Sequence, residues 1–144
     1  MEKTAKLEKL LNIYNLLMKV YDYGIADTEK KSEFQRTLEL AKQLRPFKEQ
    51  VQDYHDEQRN RIIRKYKDEN GKLPKAKDDK GNEKKEVDPE IQRQMDNDYN
   101  KLMNTEIPTK DLNAKFNGDE VQNAIDKDAL TRSQVVEILD FIEQ

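Results

Sequence analysis

The stretch from Thr4 to Asp22 restricts the possible folds of this chain more than any other feature. Leu7, Leu10, Leu11, Tyr14, Leu17, Met18 and Tyr21 recur at the i, i+3, i+4, i+7 spacing of one helix face. Ile13, Leu16 and Val20 add a second stripe. At roughly 100° per residue the two stripes together cover about 220° of the helix. A helix packed on one side needs less. This one calls for two partners, either two other elements of its own chain or one such element and another molecule. Gly24, between Tyr23 and Ile25, reads as its terminator.

A longer helical pattern follows, towards Tyr66, with Asp27 and Thr28 as candidate caps. Phe34, Leu38 and Ala41 share one face, and Phe47, Val51 and Tyr54 share another, displaced by roughly 100°. The phase changes at Leu44, Arg45 and Pro46. A proline inside a helix removes a hydrogen bond and crowds the carbonyl four residues back, so a bend or break is expected there. The short link from the first helix makes the pair an antiparallel helical hairpin with a long, kinked second helix.

With 40% charged and 34% hydrophobic residues and a mean hydropathy of -1.15, core-forming side chains are scarce, and they are unevenly spent. Lys67 to Glu86 holds few apolar residues and two turn signals, around Gly71 and Gly81. It reads as a polar projecting hairpin or a flexible loop. Asp88-Pro89-Glu90 then opens a helix, with an N-cap, proline at N1 and an acid in the first turn. Ile91, Met95, Tyr99, Leu102 and Met103 line one face, and Pro108 is the expected stop. Residues 106–116 alternate weakly through Ile107, Leu112, Ala114 and Phe116, as a short strand or extended arm would. Asn117-Gly118 turns the chain before a short helix around Glu120 to Ile125. Thr131 with Gln134 makes a capping box. It starts a last helix whose apolar face is Val135, Ile138, Leu139 and Ile142, widened by Val136 and Phe141. The expected fold class is mainly α, with a small β element near residues 106–116. A helical hairpin over 1–66, a polar excursion over 67–87 and a helical part over 88–144 would pack into a single domain.

The same sequence narrows the chemistry. No apolar run reaches the roughly 18 residues of a membrane span, and none reads as a signal peptide. The absence of cysteine removes disulfides, thiolate catalysis and sulfur-ligated zinc. Placing Gly71 at the sixth position of a calcium loop puts Tyr66 and Lys77 where carboxylates are required. Placing Gly81 there puts Ala76 and Val87 at those positions. The scattered glycines build no phosphate loop. His55 is the only histidine, and with no nucleophile turn in the chain it reads as a half-buried or exposed helix residue. The pairs Asp96/Asp98 and Asp126/Asp128 are two apart, so on a helix they do not face each other. The expectation is therefore no catalysis, no cofactor and no metal site.

Two features remain as candidate surfaces. Arg59, Arg61, Arg64, Lys65 and Lys67 form a basic cluster suited to phosphate, nucleic acid or an acidic partner. The bland alternative is cations favoured by the dipole at a helix C-terminus. Net charge is only -3, with a basic excess in the first half and an acidic excess after Val87, which is not a nucleic-acid footprint. The other surface is the surplus apolar face of the first helix: Leu7, Leu10, Ile13, Tyr14, Leu16, Leu17, Val20 and Tyr21. Aromatic and methionine residues at helical spacing serve cores more often than interfaces, but the width of that stripe keeps a protein interface open.

From about Leu40 onward the order of motifs resembles a family of small, uncharacterised proteins of tailed bacteriophages. The resemblance is carried by Arg45-Pro46-Phe47-Lys48-Glu49-Gln50 and by Lys65-Tyr66-Lys67-Asp68-Glu69-Asn70-Gly71-Lys72. Asp88-Pro89-Glu90, Thr105-Glu106-Ile107, Leu130-Thr131 and Leu139-Asp140-Phe141-Ile142-Glu143 continue it. It implies a phage setting, a location in the host cytoplasm or the virion, and no enzymatic activity. It brings no site residues. The expected function is a non-catalytic protein-interaction component in virion structure or assembly, or an accessory factor, whose partner is a second copy or another phage or host protein. A nucleic-acid-associated accessory role through Arg59 to Lys67, and inhibition of a host defence protein, are the alternatives.

Overall fold

The computed structural model describes residues 3–25 and 31–142. The chain is mainly helical, with two small antiparallel sheets of two strands each. It divides into two compact units. One is built from residues up to Asp53 together with those from Glu106 onward, and the other runs from Tyr54 to Thr105. The candidate caps Asp27 and Thr28 lie outside the described residues.

In the first unit, strand β1 (Thr4–Lys6) precedes helix α1 (Leu7–Gly24). The helix starts three residues later than its periodicity suggests, because Thr4, Ala5 and Lys6 pair antiparallel with Pro108, Ile107 and Glu106 of β4 (Glu106–Pro108). The expected β element is thus three residues long, and the rest of 109–117 is irregular but alternates as anticipated. Ile107, Leu112, Ala114 and Phe116 are all buried. Pro108 sits on a two-stranded sheet, where a missing N–H is tolerated.

Helix α2 (Lys31–Phe47) runs through Pro46 without breaking. The irregularity comes just after it, as a π-helical stretch over Lys48–Asp53. A wider turn beside a proline lets the ring and the donorless position be accommodated without ending the helix. Tyr21 Oη donates to the Thr37 carbonyl at 3.3 Å, and Tyr14 stacks on Phe47 with ring centroids 5.9 Å apart. Earlier residues of α1 thus meet later residues of α2, which is the expected antiparallel pairing. The packed stripe of α2 differs from the expected one. Leu40, Leu44, Phe47 and Val51 are buried, whereas Phe34 and Leu38 are 53% and 47% exposed.

The rest of this unit wraps α1. Its most extensive contact is with α5 (Gly118–Asp126), and it also packs on α6 (Arg132–Ile142) and the π-helical stretch. Phe141 of α6 meets Phe47 edge-on at 5.8 Å, closing the core from the other side. Gly24 is the last residue of α1 and does more than end it. A β-carbon there would overlap the backbone carbonyl of Glu120, so its bare backbone is what lets α1 and α5 approach. Asn123 Nδ2 donates to the Gly24 carbonyl at 3.0 Å across the same contact.

The second unit contains α3 (Tyr54–Lys65), the hairpin β2 (Lys75–Lys77) and β3 (Glu83–Val87), and α4 (Pro89–Met103). The polar segment after Lys67 is an ordered pair of matching turns. Asp68 Oδ1 accepts from the amides of Asn70 and Lys72 at 2.9 and 3.1 Å. Asp78 Oδ1 accepts from those of Lys80 and Asn82, both at 2.9 Å. Gly71 and Gly81 supply the positive φ that each turn requires, at 74° and 82°. The register slips between the Lys75–Val87 and Lys77–Glu83 pairs, so β3 bulges. Asp88 caps α4, accepting from the Glu90 amide at 2.9 Å. That helix ends at Asn104, ahead of Pro108, because Asn104 N and Nδ2 both return to the Asn100 carbonyl. Among the described residues of this unit only Leu102 is buried. Its order therefore rests on local polar geometry more than on a dry core.

The Gly24 approach gives a sharp stability test. Gly24→Ala should destabilise the fold by about 2–3 kcal/mol, since rigid backbone faces the new methyl. Gly118→Ala, where a β-carbon meets nothing within 4 Å, should be near neutral. Equal effects of the two substitutions in urea unfolding would contradict this account.

Candidate functional site

An apolar surface that includes exposed Val136 and Leu139 lies at the last two helices of the first unit. The chain enters it through residues 109–117, which are tied down at several points. The Ala114 amide donates to the Phe141 carbonyl at 2.8 Å, and the Lys115 amide to Gln43 Oε1 at 2.6 Å. Asn117 then caps α5. Its Oδ1 accepts from the Glu120 amide, and Glu120 Oε1 accepts from the Asn117 amide, both at 2.9 Å. Arg36 of α2 holds the same carboxylate with a two-pronged ion pair. Nε reaches Oε2 and Nη2 reaches Oε1, each at 2.8 Å, and Nη2 also donates to the Lys115 carbonyl at 2.6 Å. The Glu120 hydrogen bond raises the Arg36 pKa further above its ordinary value, against the opposing effect of burial.

Helix α5 ends in a Schellman turn. The Ala129 amide bonds back to Ala124 at 3.0 Å and the Asp128 amide to Ile125 at 2.9 Å, with Asp128 in the left-handed region at φ 59°. Leu130 is buried, and the Thr131–Gln134 capping box starts α6, with Thr131 N to Gln134 Oε1 at 2.9 Å and Gln134 N to Thr131 Oγ1 at 3.2 Å. Helix α6 thus follows α5 after a short turn held by these bonds.

Between the two helices runs an open cleft of about 350 Å³. Phe116, Val121, Ile125, Val135 and Ile142 give it an apolar lining. Ile138 and Phe141 point to the core, but Val136 is 73% exposed and Leu139 is 40% exposed. Leu139 shares the helix stripe of Val135 and Ile142, so it extends the lining onto the cleft's edge. Exposed Asp126 on α5 and exposed Arg132 on α6 are the charged residues nearest this lining around each helix, whereas Asp140 lies about 150° from Val135 and Ile142. No titratable pair or nucleophile converges in the cleft. Its lining is suited to an apolar surface.

The surface expected on α1 is placed differently. Leu7, Leu10, Leu17 and Val20 are fully buried, Ile13, Tyr14 and Leu16 nearly so, and Tyr21 is half-buried against α2. The second partner of the broad stripe is the chain itself. The spare apolar surface sits on α6, where five aliphatic residues within 11 positions exceed what one short helix buries. That surplus was visible in the sequence.

The basic cluster lies in the second unit and does not converge. Around α3, Arg61, Arg64 and Lys65 point within a wedge of about 100°, while Arg59 points away from them. Arg61 pairs with Glu57 at 2.8 Å, and Lys65 with Asp98 at 3.2 Å. Arg59, Arg64 and Lys67 are exposed and make no ion pair among the described residues. His55 is half-buried, with Nε2 2.9 Å from Tyr99 Oη and Nδ1 2.9 Å from Asp56 Oδ1. Nε2 serves the contact between α3 and α4, while Nδ1 is held by its neighbour within α3. Among the described residues no group of three or more histidine or carboxylate side chains is placed to hold a metal ion, and no helix is long and apolar enough to cross a membrane. Comparison with protein-family models, curated proteins and solved structures finds no match.

Tyr66 and Asp98 make the second unit pH-sensitive at both ends of the scale. Tyr66 Oη donates to Asp98 Oδ2 at 2.6 Å. This bond, aided by Lys65, lowers the Asp98 pKa below its ordinary value and, against the effect of Lys65, raises Tyr66 above 10.0. The contribution of Asp98 is lost as pH falls through its lowered pKa, and that of Tyr66 as pH rises through its raised one. Ultraviolet difference titration against Tyr66→Phe should therefore place Tyr66 above the ordinary tyrosine value of 10.0. Asp98→Asn should bring it back, and an unchanged titration in that variant would contradict the assignment.

Proposed function

We propose that this chain is a non-catalytic protein-interaction component whose α5–α6 cleft receives an apolar helix face. The observation that carries this reading is the outward Val136 and Leu139 beside an open, apolar cleft on well-fixed helices. Paired helices with aliphatic residues at i, i+3, i+4 and i+7 spacing are the usual receptor for an amphipathic helix. A structural, assembly or accessory role in a bacteriophage, as the sequence resemblance implies, is the setting proposed for that binding.

A photo-activated cross-linker in place of Gln122, inside the cleft, provides the test in the native host, with Lys9 on exposed α1 surface as the control position. Gln122 should give protein adducts that Lys9 does not, and Val136→Glu with Leu139→Glu should abolish them without changing the melting curve. No adduct at Gln122, or the same adducts at both positions, would overturn the reading.

A further inference from the structure

Asparagine followed by glycine occurs twice, at Asn70–Gly71 and at Asn117–Gly118. Glycine leaves its own main-chain nitrogen without a side chain to shield it, so that nitrogen can attack Cγ of the preceding asparagine. The new N–Cγ bond closes a five-membered imide. The Cγ–Nδ2 bond breaks, and Nδ2 leaves as ammonia with the proton that the glycine nitrogen gives up. Water then opens the ring at either carbonyl, giving aspartate or isoaspartate. Access alone does not separate the two sites. Both pairs are exposed, and a β-carbon at either glycine would meet nothing within 4 Å.

Each pair is also engaged in the folded chain. The Gly71 amide donates to the Asp68 carbonyl at 3.0 Å, and Asn117 Oδ1 accepts from the Glu120 amide at 2.9 Å. Reaction at either site therefore waits for local opening, and the two openings are unequal. The turn around Asn70 is exposed from Asp68 to Lys72 and is held by bonds within that span, which use the Asn70 amide and not its side chain. Opening it uncovers no apolar core. Opening at Asn117 breaks the capping box and takes a donor from the Glu120 carboxylate that Arg36 also holds. Glu120 is only 6% exposed, so this opening disturbs the core of the first unit.

We propose that Asn70–Gly71 is a self-modification site, at which Asn70 converts to aspartate and isoaspartate with water as the co-reactant, while the capped Asn117 is kept. The proposal goes beyond the cleft and does not depend on it. Its product alters the hairpin that follows α3. Isoaspartate carries the main chain through an extra methylene, inside the span closed by the bond from the Asp68 amide to the Lys72 carbonyl at 2.8 Å. That bond and the Gly71–Asp68 bond no longer fit together, and either product adds a negative charge. The matching turn at Asp78 has Lys80 in the place of Asn70 and cannot undergo the change. The change runs one way, so the turn records the age of the molecule.

Prolonged incubation of the full chain in neutral buffer, followed by digestion in acid and tandem mass spectrometry, tests this at both sites in one sample. In the folded chain Asn70 should convert about tenfold or more faster than Asn117, the factor that a helix cap supplies. In guanidinium, where neither turn nor cap exists, the two should convert at similar rates, because each precedes glycine. Arg36→Ala, shown by circular dichroism to be folded, should speed conversion at Asn117 and leave Asn70 unchanged. Equal rates in the folded chain, or a slower rate at Asn70, would overturn the proposal. So would a difference that persists in guanidinium, since the fold would then not be its cause, or an Asn117 rate that the folded Arg36→Ala variant does not move.

Discussion

Among the described residues the carboxylate of Glu120 is the one buried charged group in the core of the first unit, and the placing of α5 depends on how it is satisfied. An ionised carboxylate taken out of water costs several kcal/mol unless its oxygens are fully used. Here they are. Arg36 supplies two donors in a fork, and the Asn117 amide supplies a third. The same residue lends its backbone carbonyl to the contact with Gly24, which only glycine permits. Helices α1, α2 and α5 are thereby brought to one residue. An aliphatic side chain at position 120 could fill the space, but it would not fix the direction from which Arg36 approaches or hold the first turn of α5.

This arrangement explains why a usable surface lies where it does. The N-terminal end of α5 is locked to α1 and α2, and α6 is held to the core by Ile138, Phe141 and the bond from Ala114. Among the described residues no third helix covers the facing sides of α5 and α6, and Val121, Ile125, Val135 and Ile142 gather there. A rigid scaffold with a spare apolar seam meets a main requirement of binding, because little ordering entropy remains to oppose it.

How much of this was legible in the sequence follows the range of each interaction. The caps at Asp88 and Thr131 were readable because both partners lie within three residues. The helix of Leu7 to Tyr21 was readable from its period, and so was its need for two partners. Which partners they are was not, since α5 and α6 are about a hundred residues away. In α2 two apolar stripes compete, and spacing alone does not say that Leu40 and Leu44 face inward while Phe34 and Leu38 face out. Gly24 read as a helix stop because its role depends on a carbonyl brought in from another element. Arg36 and Glu120 lie 84 positions apart, with no local mark to join them. The cluster at Arg59 to Lys67 is the opposite case. It is dense along the chain, but the helix turns Arg59 away from Arg61, Arg64 and Lys65.

The central claim is that the Arg36–Glu120 pair fixes α5, and a double-mutant cycle in urea unfolding addresses it most directly. Glu120→Gln keeps an acceptor for the Asn117 amide while removing the charge, and Arg36→Ala removes the other partner. The account predicts a coupling energy of about 1.5 kcal/mol or more between the two sites. Effects that add to within about 0.5 kcal/mol would contradict it.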